Sequence, residues 1–293
     1  QGALGILDPR TGKYEQVKLG ARAAPHGVIA GPDGAAWITE GGLNAIARVD
    51  PKSRDVKLFA LPKGFEKANL NTATFDKAGK LWFTGQNGVY GRLDPQSGMI
   101  AVFDAPRGIG PYGIAATPEG QVFFASLAGS YLGRIDVNTG TTTVLEPPVP
   151  RQGARRVWSD SHGALWITGW NSGDLFRYDS KTNSWRRWHL PGDRPQPYAV
   201  YVDDTACMKR AAKAIIQGAS YDNNLLCIGE KEVFAREQIA DTLMSQMSQN
   251  GAVKLSNAQL DALTKAAFTI TPGQGGGCAH ASVNRDFIGK DPA

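Results

Sequence analysis

The sequence predicts a mainly β fold: a β-propeller of four-stranded blades in an incomplete set, followed by a smaller α/β segment. The first observation is a repeat. APHGVIAGPDGAAWITEGGLNAIARVD (24–50), LNTATFDKAGKLWFTGQNGVYGRLD (70–94), PYGIAATPEGQVFFASLAGSYLGRID (111–136) and ARRVWSDSHGALWITGWNSGDLFRYD (154–179) share one pattern. The second is its period: Asp50, Asp94, Asp136 and Asp179 stand 44, 42 and 43 residues apart, and Asp8 precedes Asp50 by 42. Several short strands in about 40 to 45 residues make one propeller blade. The third is that the pattern stops after Asp204, which divides the chain into residues 1–204 and 205–293.

Within each unit a glycine turns the chain (Gly34, Gly79, Gly120, Gly163), and three residues later comes an aromatic, Trp37, Trp82, Phe123 or Trp166. An alternating run then leads to an Arg-x-Asp that starts at Arg48, Arg92, Arg134 or Arg177, and a fourth strand follows (KLFALP, AVFDAP, TVLEPP, RRWHLP). Short alternating runs between turn residues are strands joined by tight turns, four to a blade. The aromatics are expected to wedge between neighbouring blades. Four complete units result, with the second half of an earlier one (1–18) and the start of a later one, PQPYAVYVDD (195–204). A propeller closes by pairing its first and last strands, because open edges invite aggregation. Here the missing strands are not supplied, so the ring is expected to be incomplete or irregularly closed.

Past Thr205 the periodicity turns helical. TACMKRAAKAIIQGA carries apolar residues at helical spacing with Gly218 as a stop signal, CIGEKEVFA (227–235) suits a short strand, and EQIADTLMSQMSQ (237–249) is amphipathic. Ser256 with Gln259 forms a capping box ahead of LDALTKAAF, and GQGGG (273–277) reads as a loop.

Composition separates the same two parts. All seven tryptophans precede the break and all three cysteines, Cys207, Cys227 and Cys278, follow it. Three cysteines without regular spacing argue against a disulfide framework or a paired-cysteine metal site. The net charge of +5 is modest and its basic residues are scattered, which argues against nucleic acid. No apolar run is long enough to span a membrane. A soluble protein is expected. The chain opens at Gln1 in mid-repeat, without initiator methionine or signal peptide, and leaves its compartment open.

The recurring Pro-His/Tyr-Gly-Ile/Val, Gly-x-x-Trp-x-Thr-Glu and Asn-x-Ile-x-Arg marks over residues 1–204 resemble the streptogramin B (virginiamycin B) lyase family of seven-bladed propellers. The resemblance implies elimination rather than hydrolysis. A Mg²⁺ polarises carbonyls beside an ester while a histidine removes the acidic α-proton and the ester oxygen leaves. Pro25-His26-Gly27 matches the family's Pro-His-Gly, so His26 is the candidate base, and Glu40 in Trp-Ile-Thr-Glu is the candidate metal-side carboxylate. Two places depart from the family. Ala24 stands where a glutamate precedes one of its Pro-His-Gly motifs, and Asn71, Tyr112 and Arg155 stand where a second blade should offer histidine. The positions equivalent to Glu40 are Gly85, Ser126 and Gly169. First strands face the central channel, so Asn71, Tyr112, Arg155 and Tyr198 join His26 as candidate binding residues for a small molecule or cyclic peptide. The same ring also reads as a solvated polar tunnel without chemistry. His162 and His189 are expected at the surface.

The string VDDTACMKRAAKAIIQGASYDNNLLCIGEKEVFA, with SVNRDFIGKDPA at the end, resembles CoA-acylating aldehyde dehydrogenases of the propionaldehyde and acetaldehyde type. GASYDNN-x-x-C is the stretch that leads into that family's nucleophile, which implies Cys227 as the thiolate that attacks an aldehyde, with NAD and CoA as co-substrates. NAD and CoA are not expected here, because the NAD-binding domain that precedes the cysteine in that family is replaced by propeller blades. Val202-Asp203-Asp204 fits both halves, as the join of a hybrid would.

Overall fold

A computed structural model describes residues 2–8, 11–190, 195–197, 199–202, 208–220, 232–235, 237–271, 280–284 and 286. The chain falls into two compact units, Gln1–Pro197 and Tyr198–Ala293.

The first unit opens with a hairpin of β1 (Ala3–Leu7) and β2 (Tyr14–Lys18), the outer half of a blade. Four complete antiparallel blades follow. The first is β3 (Pro25–Ala30), β4 (Ala36–Glu40), β5 (Ala45–Val49) and β6 (Val56–Ala60), and the second β7 (Leu70–Phe75), β8 (Leu81–Gly85), β9 (Val89–Leu93) and β10 (Ile100–Asp104). The third is β11 (Pro111–Ala116), β12 (Val122–Ser126), β13 (Tyr131–Ile135) and β14 (Thr142–Leu145). The fourth is β15 (Ala154–Ser159), β16 (Leu165–Gly169), β17 (Asp174–Asp179) and β18 (Ser184–His189). The mainly β propeller reading holds, and first strands β3, β7, β11 and β15 neighbour one another in series.

The aspartates that mark the period earn their regularity in the turn between third and fourth strands. The Asp50 carboxylate accepts the amides of Lys52 (2.9 Å) and Ser53 (3.0 Å), and Asp136 and Asp179 do the same two and three blades on. A short carboxylate that bonds the backbone two residues on sets such a turn. The first turn of each blade needs a left-handed residue, met by Gly34 at φ 75° and Gly163 at φ 81°.

The aromatics wedge between blades as expected in three of four cases. Trp37 stacks on Phe59 of its own blade and meets Phe75 of the next edge-on, while Trp82 and Phe123 are fully buried in the following two interfaces. The indole N–H groups of Trp37, Trp82 and Trp166 donate to Asp33, Asp76 and Asp160, so these buried or half-buried donors are satisfied. Trp166 stacks instead on Trp188 of its own blade.

In the second unit β19 (Ala199–Val202) pairs in parallel with β20 (Glu232–Ala235), and α1 (Met208–Ser220) lies between them in sequence. Residues 199–202, read from sequence as the opening of a further blade, therefore serve a strand–helix–strand unit. Their β pattern suits either partner, and the parallel partner wins. Helix α1 also runs through Gly218 rather than stopping at it. A single glycine costs a helix only about 1 kcal/mol relative to alanine. Ala212 and Ile215 of α1 bury against Leu243 of α2 (Glu237–Gln249). Helix α3 (Asn257–Ala267) begins at the predicted Ser256–Gln259 capping box, and β21 (Phe268–Thr271) pairs with β22 (His280–Val283). No described helix is long and apolar enough to cross a membrane.

Candidate functional site

Each inner strand carries the same irregularity. The register shifts between Pro25 and Val28, Leu70 and Ala73, Pro111 and Ile114, and Ala154 and Val157. A bulge of this kind re-aims the side chain it contains. The residues inside it are His26, Asn71, Tyr112 and Arg155, four of the predicted channel positions.

The structure brings these four into one row. His26 Nδ1 lies 3.0 Å from the carbonyl oxygen of Asn71, and Asn71 Nδ2 lies 3.4 Å from His26 Nε2. The His26 ring meets Tyr112 edge-on at 6.3 Å between centroids. The Arg155 guanidinium donates to the Tyr112 hydroxyl at 3.1 Å and sits 4.0 Å over the ring of Trp170. Arg156 lies 5.8 Å over Tyr112. Tyr198 and Cys227 lie outside the described residues.

A carbonyl oxygen accepts only, so Nδ1 of His26 must carry the proton and Nε2 holds the lone pair. Burial by its surroundings holds the imidazole below its usual pKa, with the positive charges of Arg156 and Arg155 adding to the shift and the bond to Asn71 opposing it. At neutral pH His26 is therefore an uncharged base with one defined tautomer. Asn71 is fully buried, and its Oδ1 has no hydrogen-bond partner.

A clasp that sequence reasoning missed holds this row. Thr39 Oγ1 accepts the amide of Gly27 (2.9 Å) and donates to Asn71 O (2.5 Å), the same carbonyl that fixes His26. Thr84 repeats the arrangement one blade on, from Thr72 N (3.3 Å) to Tyr112 O (2.5 Å). The Trp-x-Thr spacing, present in three blades, was the signal. Gly27 is required by the same close approach, since a Cβ there would stand 2.8 Å from Asn71 O. Arg156 and Trp170 were also missed: Arg156 is the second residue of its bulge, where the other blades carry Gly27, Thr72 and Gly113, and Trp170 lies in a turn.

Glu40 is fully buried at the end of β4, opposite Pro25. Its Oε2 accepts the Ala24 amide at 2.9 Å, and its Oε1 has no partner. Burial pushes its pKa up, against the pull of the Ala24 N–H. Mg²⁺ takes about six oxygen ligands in near-octahedral geometry. Glu40 offers one free oxygen, and among the described residues no group of three or more His, Cys, Asp or Glu side chains converges. Among the described residues Glu40 therefore has no set of such side chains beside it to complete a divalent-cation cage. His162 and His189 are exposed as expected, and His189 additionally meets the buried carboxylate of Asp174 at 3.0 Å. An open hollow of about 440 Å³, lined by Thr74, Asp76, Thr117 and Asp160, lies where the first strands of blades two to four end, away from the bulges.

The family profile whose description reads Virginiamycin B lyase family matches residues 4–216. The chain belongs to the virginiamycin B lyase family. The selenomethionine crystal structure of virginiamycin B lyase from Staphylococcus aureus superposes with a TM-score of 0.63 at 22% identity, covering 69% of this chain and 68% of that one. A catalytically inactive histidine-to-alanine form of the Staphylococcus aureus enzyme with quinupristin gives 0.58 at 26% identity, covering 64% and 62%. About a third of the chain has different kin. Over 94 residues it is 43% identical to an acetaldehyde dehydrogenase (acetylating) of Bilophila wadsworthia, which is 32% of this chain and 19% of that enzyme. The chain thus spans between 10% and 19% of the length of the curated dehydrogenases it matches.

Proposed function

We propose that this member of the virginiamycin B lyase family binds a cyclic depsipeptide along the His26–Tyr112–Arg155 row and opens its ester by C–O elimination. The observation that carries the reading is the His26 tautomer. With Nδ1–H committed to Asn71 O, Nε2 holds the lone pair, which accepts a long 3.4 Å bond from Asn71 Nδ2 that a substrate C–H has to displace. The proton next to the substrate carbonyl passes to Nε2. The C–H electron pair becomes the new C=C bond, the β-carbon–oxygen bond breaks, and the acid leaves as a carboxylate. Arg155 and Arg156 supply positive charge toward the developing enolate. Trp170 and Tyr112 offer ring faces and edges to an apolar cyclic ligand. No step is assigned to a metal, since among the described residues no cage of ligating side chains stands around Glu40. No dehydrogenase step is assigned either, because Cys227 lies outside the described residues and the match covers at most 19% of those enzymes.

In support, an inactive Staphylococcus aureus relative is a histidine-to-alanine form, and it was crystallised with quinupristin. The test is mass spectrometry of a streptogramin B-type depsipeptide incubated with wild type and His26→Ala. Ring-opened, unsaturated product from wild type and its loss in the variant is expected. Binding without product, or equal product from both proteins, overturns the reading; the former leaves a non-catalytic ligand-binding propeller.

A further inference from the structure

Asn71 holds the imidazole of His26 by two atoms at once. Its backbone oxygen lies 3.0 Å from Nδ1, and its side-chain Nδ2 lies 3.4 Å from Nε2. One residue therefore spans both ring nitrogens along the edge that carries Cε1. The grip on Nδ1 is fixed, because the Thr39 hydroxyl donates to the same carbonyl at 2.5 Å. The grip on Nε2 is not. A carboxamide presents a donor and an acceptor of nearly equal size, and half a turn about its last bond exchanges them in place. Asn71 is fully buried, and its Oδ1 has no hydrogen-bond partner. Among the described residues no donor on the Oδ1 side sets which way the amide faces, so the protonation of His26 decides it.

The neutral ring offers a lone pair at Nε2, which takes the NH2 end. A ring that gains a proton there donates from both nitrogens, and the NH2 end then meets another donor. The charged and titratable groups around the ring do not favour its positive form. Arg155 and Arg156 of β15 oppose it, Tyr112 of β11 meets the ring edge-on, and Glu40 at the end of β4 accepts the Ala24 amide. What the charged ring lacks is an acceptor at Nε2, and Asn71 Oδ1 is a buried acceptor without a donor.

We infer that Asn71 is a positioning residue whose side-chain amide turns over with the proton on His26, giving its NH2 end to the bare Nε2 and its Oδ1 end to Nε2–H. The role in turnover rests on the reading of His26 as the base. The substrate C–H displaces the NH2 end, its electron pair passes into the new C=C bond, and its proton arrives on Nε2. Oδ1 then accepts that N–H until solvent water takes the proton.

Nuclear magnetic resonance of the full chain, labelled with nitrogen-15 in asparagine and histidine and free of substrate, tests the turn apart from the lyase reading. Across the His26 titration one asparagine NH2 pair is expected to shift with the same midpoint. Its cross-relaxation with the proton on His26 Cε1 is expected to fall several-fold as the ring charges. In His26→Gln no asparagine pair is expected to follow that midpoint. Asn71→Leu keeps the backbone oxygen and removes both amide ends. Its His26 is expected to keep the Nδ1–H tautomer and to lose about ten- to a hundredfold in proton affinity, the usual worth of a hydrogen bond to a charged group. Cross-relaxation in the wild type that persists unchanged through the titration, or an Asn71→Leu chain with the wild-type midpoint, overturns the inference. An amide that turns in a chain that opens no depsipeptide supports the inference and overturns the lyase reading alone.

Discussion

Blades one and three are built on one scaffold and carry different chemistry. Both open with Pro-x-Gly at a bulge, Pro25-His26-Gly27 against Pro111-Tyr112-Gly113, and in both the glycine lets the next inner strand approach. Blade one then ends its second strand in Thr39-Glu40, which clasp the neighbouring blade and the preceding amide. Blade three ends in Ala125-Ser126, where Ser126 Oγ turns back to accept Gly129 N at 3.1 Å. The contrast teaches that the blade fixes where a side chain points while a handful of inner positions decide what it does.

The widest gap between the two blades is expected at their bulge residues. His26→Ala should lower kcat/KM for ring opening by about 10²- to 10⁴-fold, the usual yield of a positioned general base. Tyr112→Phe removes one hydrogen bond from the charged Arg155 guanidinium, worth about 1.5–3 kcal/mol, and should cost about a hundredfold at most. Comparable losses for both variants in steady-state assays would put the chemistry elsewhere.

The second strands should separate next. Glu40→Ala removes a buried carboxyl that accepts the part-buried Ala24 amide and is expected to cost about 1–3 kcal/mol in denaturant titrations. Glu40→Gln, which keeps an acceptor oxygen, should cost less. Millimolar Mg²⁺ should leave the melting temperature of wild type and Glu40→Gln alike unchanged; a Mg²⁺-dependent rise that Glu40→Gln abolishes would contradict the reading of Glu40 as a backbone partner. Thr39→Ala should cost about 0.5–1.5 kcal/mol and loosen His26 through Asn71. Blade three, with Ala125 already at that place, shows that the scaffold tolerates the loss.

Acid is expected to act on both blades alike. Amide bonds from their turns hold the carboxyls of Asp50 and Asp136 below the usual range, and the Lys80 ammonium helps hold Asp94 down to about 2. These groups bind protons more tightly unfolded than folded. Their contribution is therefore complete above the ordinary carboxylate range and is lost as pH falls through it toward about 2. A thermal midpoint that rises on acidification in that window would contradict the turn assignments.

Much of this fold was legible because it repeats. The spacing of Asp50, Asp94, Asp136 and Asp179 reported the turns they cap, and the aromatics reported interfaces that recur. The Ser256–Gln259 box was legible because helix capping is local. The inner row was found by alignment within the chain, which brought His26, Asn71, Tyr112 and Arg155 to one bulge position. What escaped depends on partners distant in sequence. The Thr39 clasp ends on the next blade, Trp170 meets Arg155 from a turn, and β19 takes its direction from a strand thirty residues away. Periodicity says which face a residue occupies, not what covers that face.

The most direct test of the account is a nitrogen-edited NMR titration of the His26 imidazole, assigned against a His26→Gln variant among the four histidines of the chain. The account predicts a proton on Nδ1, a bare Nε2, and a pKa below the ordinary imidazole value of 6.5. A proton resident on Nε2, or a pKa above that value, would mean that His26 is not the poised base described here.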